Sequence, residues 1–132
     1  MSAASTSRPW ISAARRVAIA REYTQALAGS TLLAPHQRAD ADHVYHLYVT
    51  RSSDRDRLQA KLRDAAVGTG IHYPVPVHLQ PAYAGRIALG PSACRETEAA
   101  AREILSLPIY PELTDAEVET VCAALNALFR ND

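Results

Sequence analysis

The residues best suited to chemistry lie in one short loop, residues 70–81, with the sequence GIHYPVPVHLQP. The loop carries two imidazoles, His72 and His78, and the phenol of Tyr73, among three prolines. Proline fixes φ near about −65° and removes a backbone donor, so the loop is expected to be stiff and extended. Imidazole and phenol groups both donate and accept hydrogen bonds. The pattern therefore indicates a loop that presents side chains to a ligand.

A metal site is the first alternative for a chain with five histidines. His43 and His46 lie on a predicted strand, and we expect their side chains to point to opposite faces of the sheet. His72 and His78 could converge across the loop, but the neighbouring sequence offers neither a carboxylate nor a cysteine as third ligand. No metal site is predicted, and His46 is interpreted as a hydrogen-bonded core histidine.

Candidates for covalent catalysis are also few. The sequence contains no Gly-x-Ser-x-Gly motif, and neither Cys94 nor Cys122 lies in a loop beside a basic residue that would activate its thiol. Lys61 is the only lysine and falls on the polar side of a predicted helix, so it is expected to be a surface residue. Glu96 and Glu98 are interpreted as solvated carboxylates on a helix.

Composition narrows the function classes. The 132 residues, 48% of them hydrophobic, are enough for one domain with a buried core. Because 14 basic residues balance 14 acidic ones, neither a nucleic acid nor an anionic membrane is expected as a partner. Four arginines near the start are interpreted as a solvated helix face: Arg8, Arg15, Arg16 and Arg21.

Localisation is predicted from segments that the sequence lacks. It has no apolar run of about 18 residues for a membrane span, and its first residues lack the apolar core of a secretion signal. The two cysteines form no CxxC pair and are expected to be reduced and half-buried. A cytoplasmic protein is predicted.

Four helices are expected. The first runs from residue 9 to residue 27, and its narrow apolar stripe is expected to lean on a surface outside the domain. The second begins at a capping box formed by Ser53 and Asp56 and ends at Gly68. The third covers 93–105, and the fourth begins at a capping box formed by Thr114 and Glu117. The stripe of the first helix comprises Trp10, Ala13, Val17, Ala20, Thr24 and Leu27.

Three short strands, at 43–50, 69–73 and 106–110, complete the predicted fold. Pro108 indicates that the last one is an edge strand or an irregular strand. A small sheet packed with helices is an α+β, or two-layer α/β, fold. The predicted organisation is a disordered tip at 1–8, a long helix at 9–29 and a small α/β domain at 30–132.

Three of these segments together resemble the C-terminal portion of the DegT/StrS sugar aminotransferases. They are HVYHLYV at 43–49, GIHYPVPVHLQPAY at 70–83 and LSLPIYPELTD at 105–115. The resemblance covers about residues 9–130, and the middle segment is its most specific part.

The resemblance implies the small domain of a fold-type-I aminotransferase, in a family that uses pyridoxal phosphate to place an amino group on keto-sugar nucleotides. It also implies a homodimer and a large domain, outside these 132 residues, that carries the cofactor lysine. By the same resemblance, His72 and Tyr73 are substrate-binding candidates and His78 is a third. The alternative is that Tyr73 and His78 only brace the loop.

The sequence is compatible with two functions. In the first, the chain is the C-terminal part of a sugar-nucleotide aminotransferase, either a gene remnant or a separately encoded half that a large-domain partner chain completes. Alone it is expected to be inactive and to bind no pyridoxal phosphate, because it holds no Schiff-base lysine. In the second, it is a non-enzymatic module that binds a sugar nucleotide or a full-length relative. A stable domain with no function of its own is the third possibility.

Overall fold

Short strands and longer helices make up this domain. The computed structural model describes residues 9–129; the predicted tip at 1–8, with Arg8, and the side chain of Trp10 lie outside what it describes. The α+β class predicted from the sequence is confirmed. In chain order, the described elements are α1 (Pro9–Ala26), β1 (Tyr48–Arg51), α2 (Arg55–Asp64), a 3₁₀ turn (Val77–Leu79), α3 (Arg95–Glu103), β2 (Ile104–Leu107) and α4 (Asp115–Phe129).

β1 and β2 form an antiparallel pair. β1 is shorter than the predicted strand at 43–50, because Tyr45 has a φ of 49°, which interrupts the extended backbone. The Tyr45 amide donates a hydrogen bond to Nδ1 of His43 (2.8 Å) instead of joining a strand ladder. His46 is exposed in this bend. Its interpretation as a hydrogen-bonded core histidine is therefore wrong.

The predicted strand at 69–73 contributes one bridge to the sheet. Gly70 exchanges both backbone hydrogen bonds with Ser106 of β2, at N···O distances of 3.0 and 2.7 Å. The chain leaves the sheet directly afterwards, because it enters the proline-rich loop. β2 thus has β1 on one side and Gly70 on the other. Pro108 lies just after the end of β2, so it is not part of a strand, whereas an edge strand or an irregular strand was predicted to include it.

The buried face of α1 packs inside the domain, against α4. It consists of Ile19, Ala20 and Tyr23, with Leu27 just beyond the helix. Ala20 and Leu27 belong to the predicted stripe, whereas Thr24 of that stripe is exposed. The expectation that the stripe leans on a surface outside the domain is therefore wrong for this half of the helix.

Two of the arginines on α1 are fastened to the rest of the domain. Arg15 donates to the carbonyl oxygen of Leu113 at 2.7 Å and pairs with the Asp115 carboxylate at 2.7 Å. The Nε of Arg16 donates to the carbonyl oxygen of Val44 at 3.2 Å. Their interpretation as part of a solvated face is wrong, since they tie α1 to the start of α4 and to the segment before β1.

Two tyrosines connect α1 with the sheet in the core. The rings of Tyr23 and Tyr48 meet edge to face, with centroids 5.4 Å apart. The Tyr23 hydroxyl donates to the carbonyl oxygen of Pro108 (2.8 Å), and the Tyr48 hydroxyl lies 2.9 Å from Oγ1 of Thr24. Burial raises the pKa of both phenols, so both remain neutral and act as hydrogen-bonding groups.

The Tyr23→Phe variant is expected to lower the free energy of unfolding by about 1–3 kcal/mol, because the Pro108 carbonyl loses its buried donor. Urea unfolding followed by circular dichroism measures this loss. Tyr110→Phe is the matched control, since the Tyr110 side chain is 44% exposed, and it is expected to change stability little. Equal stability of the wild-type and Tyr23→Phe proteins would contradict the role given to this bond.

The two predicted capping boxes have different outcomes. At the start of α4 the box is confirmed: the Glu117 amide donates to Oγ1 of Thr114 (3.3 Å), and the Thr114 amide donates to the Glu117 carboxylate (2.8 Å). At α2 the box is wrong, since the N-cap residue is Asp54 and its side chain makes no capping bond. After α2, Ala66 adopts the left-handed conformation (φ 60°) where Gly68 was expected to end the helix.

The capping carboxylate makes the stability of the domain pH-dependent. Hydrogen bonds from the Thr114 amide and hydroxyl lower the pKa of the Glu117 carboxyl from its usual 4.5. A carboxyl with a lowered folded-state pKa stabilises the fold above its unfolded pKa, and this stabilisation disappears as the pH falls through the folded value. The melting temperature of the wild type is therefore expected to exceed that of Glu117→Gln near neutral pH, with a difference that shrinks in acid. Glu119→Gln is the matched control, since Glu119 is exposed on the same helix and makes no capping bond within residues 9–129.

Candidate functional site

The proline-rich loop carries apolar side chains into solvent. From residue 71 to the start of α3, the backbone is irregular apart from the 3₁₀ turn. Exposed aromatic and aliphatic groups that lie close together mark contact surfaces on soluble domains. The loop is therefore the candidate binding surface. The exposed apolar side chains of its first half are Tyr73, Val75, Val77 and Leu79.

His72 is oriented by the sheet beneath it. Its Nδ1 lies 2.9 Å from Oγ of Ser106, a residue of β2 that is only 4% exposed. The ring also lies directly over Gly70, because a Cβ built on this glycine would come within 2.7 Å of Cε1 of His72. The described residues give Nε2 of the ring no hydrogen-bond partner. The site therefore holds an oriented imidazole with one nitrogen available to a ligand.

Tyr73 stands beside His72 and is 73% exposed. The two rings meet edge on, with centroids 5.5 Å apart and an interplanar angle of 80°. A side chain with this exposure packs against little of its own loop, and its phenol has no hydrogen-bond partner within residues 9–129. The arrangement leaves both the ring and the hydroxyl available for contact with a ligand.

His78 is turned toward the domain. Its side chain is 9% exposed, and its Nε2 lies 3.1 Å from Oε1 of Glu98 on α3. The interpretation of Glu98 as a solvated carboxylate is therefore wrong. This contact favours the alternative in which His78 braces the loop, while its role in substrate binding stays a prediction.

Two hollows border the loop. One, of about 280 Å³, lies between the loop and α3, and the other, of about 570 Å³, is formed by the loop itself. Tyr73, Val75 and Gln80 line both hollows, whereas His72 lines the smaller one with Thr97 of α3. Small-molecule sites usually measure about 300–1,000 Å³. The loop is therefore a ridge between two hollows, of which the larger lies within this range.

Lys61 does not provide a binding site for pyridoxal phosphate. It is the only lysine of the sequence, it is exposed on α2, and it lines a cavity of about 110 Å³ with Asp54 and Arg57. A Schiff-base lysine needs a desolvated pocket, and cavities that hold small molecules usually exceed about 300 Å³. The residues of this chain do not fit a covalently held pyridoxal phosphate.

Other kinds of site find little support. Across residues 9–129, no group of three or more metal-ligating side chains could hold a metal ion, and no described helix is long and apolar enough to cross a membrane. Cys94, just before α3, and Cys122, in α4, are free and half-buried. Burial raises the pKa of the Cys122 thiol, which makes it a poor nucleophile at neutral pH.

Sequence reasoning gave no role to three residues of this site: Gly70, Ser106 and Glu98. The two side chains act across the fold, since Ser106 is 34 residues from His72 and Glu98 is 20 residues from His78. One signal was available for Ser106, because a hydroxyl within an apolar strand needs a hydrogen-bond partner when it is buried. For Glu98, the sequence carried no comparable signal.

The sequence matches the DegT/DnrJ/EryC1/StrS aminotransferase family over residues 10–126. The erythromycin biosynthesis sensory transduction protein EryC1 of Saccharopolyspora erythraea is 45% identical over 117 residues, which are 86% of this chain and 31% of the relative. The dTDP-3-amino-3,4,6-trideoxy-alpha-D-glucose transaminase of Streptomyces venezuelae is 46% identical over 100 residues, which are 75% of this chain and 26% of the relative.

The fold resembles that of DesV of S. venezuelae, solved in complex with a ketimine intermediate. The TM-score is 0.84 at 39% identity, over 92% of this chain and 33% of DesV. The chain spans about a third or less of the length of these relatives. Because the family match covers most of the chain and the fold agrees, the chain belongs to the DegT/DnrJ/EryC1/StrS aminotransferase family, whose cofactor is pyridoxal phosphate.

Proposed function

We propose that this chain is the C-terminal part of a sugar-nucleotide aminotransferase and that its proline-rich loop binds the sugar nucleotide. The observation that carries the proposal is the ridge between the two hollows. On it, an imidazole held by Ser106 stands beside the exposed phenol of Tyr73. Relatives that are named as transaminases of nucleotide-linked sugars support the substrate class.

The chemistry of the ridge suits such a substrate. Sugar hydroxyls donate and accept hydrogen bonds, and diphosphate oxygens accept them, so His72 and Tyr73 can serve both parts of the ligand. The prolines between His72 and His78 limit the conformations of the free loop. Less conformational entropy is then lost when a ligand binds, which favours affinity.

The amino transfer itself needs residues that these 132 do not supply. Bound pyridoxal phosphate supplies the electron sink for this chemistry, and the exposed Lys61 is unsuited to hold it. We propose that a lysine-bearing large domain completes the active site, in a homodimer or in a complex with another chain. By itself, this chain is expected to bind the substrate and not to turn it over.

Two measurements on the purified chain test this proposal. Titration calorimetry with dTDP-glucose is expected to show binding that Tyr73→Ala weakens at least about tenfold, a change of about 1.4 kcal/mol. Tyr83→Ala is the matched control, since Tyr83 is another exposed tyrosine and lines neither hollow. Absence of binding, or equal losses in the two variants, would refute the substrate-binding role of the loop.

The second measurement concerns the cofactor. After incubation with pyridoxal phosphate and reduction with borohydride, mass spectrometry is expected to find no specific adduct on Lys61, because the lysine is solvated and lacks a pocket. A stoichiometric adduct with an absorbance band at about 400–430 nm would show that the chain holds the cofactor by itself.

A further inference from the structure

We propose that Glu98 is a positioning residue for the substrate-binding loop and that it acts through His78. The inference rests on the function proposed above, since it concerns how the ridge that carries Tyr73 is held in place. Glu98 lies on α3, outside the loop, and it lines neither of the two hollows.

The contact between these two residues joins different elements. His78 belongs to the 3₁₀ turn in the middle of the loop, and its Nε2 lies 3.1 Å from Oε1 of Glu98. The His78 side chain is largely covered, whereas that of Glu98 is 33% exposed. The second carboxylate oxygen lies 4.0 Å from a guanidinium nitrogen of Arg102, one turn along α3. Because the Arg102 side chain is 70% exposed, the contact with His78 is the closer and better covered of the two.

Few other hydrogen bonds hold the loop on the described part of the domain. In the part of the chain that the structure describes, the side-chain hydrogen bonds that join residues 71–91 to the rest of the domain are His72 to Ser106 and His78 to Glu98. The backbone bonds of the loop are local, such as that from the Leu79 amide to the carbonyl oxygen of Pro76. Several of its apolar side chains are exposed, so the burial of those side chains contributes little to holding the loop.

The two histidines therefore act as anchors at the two ends of a stiff span. Tyr73, Val75 and Val77 lie between them, together with two prolines. A span that is fixed at both ends has one position relative to α3, whereas a span fixed only at His72 can swing as a unit. Loss of the Glu98 carboxylate should therefore move the ridge while the sheet stays intact, since no hydrogen bond or ion pair within residues 9–129 joins His78 or Glu98 to β1 or β2.

Hydrogen exchange measured by mass spectrometry tests the anchor in the wild-type chain and in three variants. Glu98→Ala is expected to speed exchange in residues 74–84 by about tenfold and to leave peptides of β1 and α4 unchanged. Glu98→Gln keeps an oxygen acceptor at the same position and should restore most of the protection. Glu96→Ala is the matched control, because Glu96 is exposed on the same helix and no bond joins it to the loop within residues 9–129.

A spectroscopic measurement and a binding measurement complete the test. In imidazole ¹⁵N spectra, Glu98→Ala is expected to shift the Nε2 signal of His78 and not the signals of His72. In calorimetry with dTDP-glucose, Glu98→Ala is expected to bind about tenfold more weakly than Glu96→Ala, with Glu98→Gln close to the wild type.

The outcomes separate the positioning role from the proposed function. Unchanged loop exchange in Glu98→Ala would overturn the positioning role even if the wild type binds the nucleotide. Faster exchange with undiminished binding would also overturn it, since the anchor would then be irrelevant to the substrate. Absence of binding by the wild type would defeat the proposed function and the positioning role with it, whatever the exchange of the loop.

Discussion

A chimera in which this chain replaces the matched third of DesV is expected to transfer amino groups, while this chain alone is expected to show no turnover. The match covers 92% of this chain with a TM-score of 0.84, so the domain should take the place of its counterpart without a new backbone arrangement. The remaining part of DesV would supply the cofactor site that Lys61 cannot provide. We expect measurable turnover for the chimera and undetectable turnover for this chain alone.

The assay follows loss of the amino group from the sugar nucleotide after which the S. venezuelae transaminase is named, with an α-keto acid as acceptor. Two variants of the chimera sharpen the result. His72→Ala is expected to lower kcat/KM at least about tenfold, because the imidazole oriented by Ser106 is lost. Lys61→Arg is expected to leave the rate unchanged, since Lys61 is an exposed residue of α2.

A chimera that folds and binds pyridoxal phosphate but shows no turnover would contradict the assignment of this chain to an enzyme. If the separate chain nevertheless bound dTDP-glucose through Tyr73, the non-enzymatic module would become the better description. Loss of activity in Lys61→Arg would instead require a catalytic role for a residue that the fold places away from the loop.

Local signals in the sequence predicted structure well where neighbouring residues settle the outcome. The capping box at Thr114 is complete within four residues, so it forms as expected. The pair at Ser53 has the same spacing, but the N-cap residue of α2 is Asp54, and the first turn engages the rest of the fold through Arg55. The Arg55 guanidinium donates to the carbonyl oxygen of Ile104 in β2, a tertiary contact that no local pattern encodes.

In the candidate site too, local sequence signals predicted some features, whereas tertiary contacts decided the others. The types and spacing of His72, Tyr73 and His78 marked the loop as the place for ligand contact, and the structure keeps Tyr73 exposed beside an oriented imidazole. The partners that orient the two histidines lie on β2 and α3. Which carboxylate or hydroxyl meets which imidazole depends on how the loop folds back over the sheet. The sequence alone could therefore not separate the exposed imidazole of His72 from the covered imidazole of His78.

Gly70→Ala is expected to impair substrate binding while leaving the fold almost unchanged. A Cβ at this position would lie 2.7 Å from Cε1 of His72, closer than two carbon atoms can approach, so the imidazole must move. The ring is the end of a side chain on an exposed residue, and its displacement costs little packing. Stability is nevertheless expected to fall by about 1–3 kcal/mol, because the buried Ser106 hydroxyl loses its hydrogen-bond partner. The bond from His72 to Ser106 would be lost, and with it the orientation of the free nitrogen.

Gly68→Ala provides the matched comparison, since Gly68 lies two residues earlier and a Cβ there would meet no atom within 4 Å. Both variants make the same chemical change in the same segment, and neither glycine has a positive φ, so backbone strain does not distinguish them. Gly70→Ala is expected to weaken dTDP-glucose binding about tenfold, with a shifted Nδ1 signal of His72, and Gly68→Ala to do neither. Equal affinity in the two variants, with the His72 signal shifted in Gly70→Ala, would mean that the orientation of this imidazole does not matter to the ligand. In that case Tyr73 would remain as the residue that makes the contact.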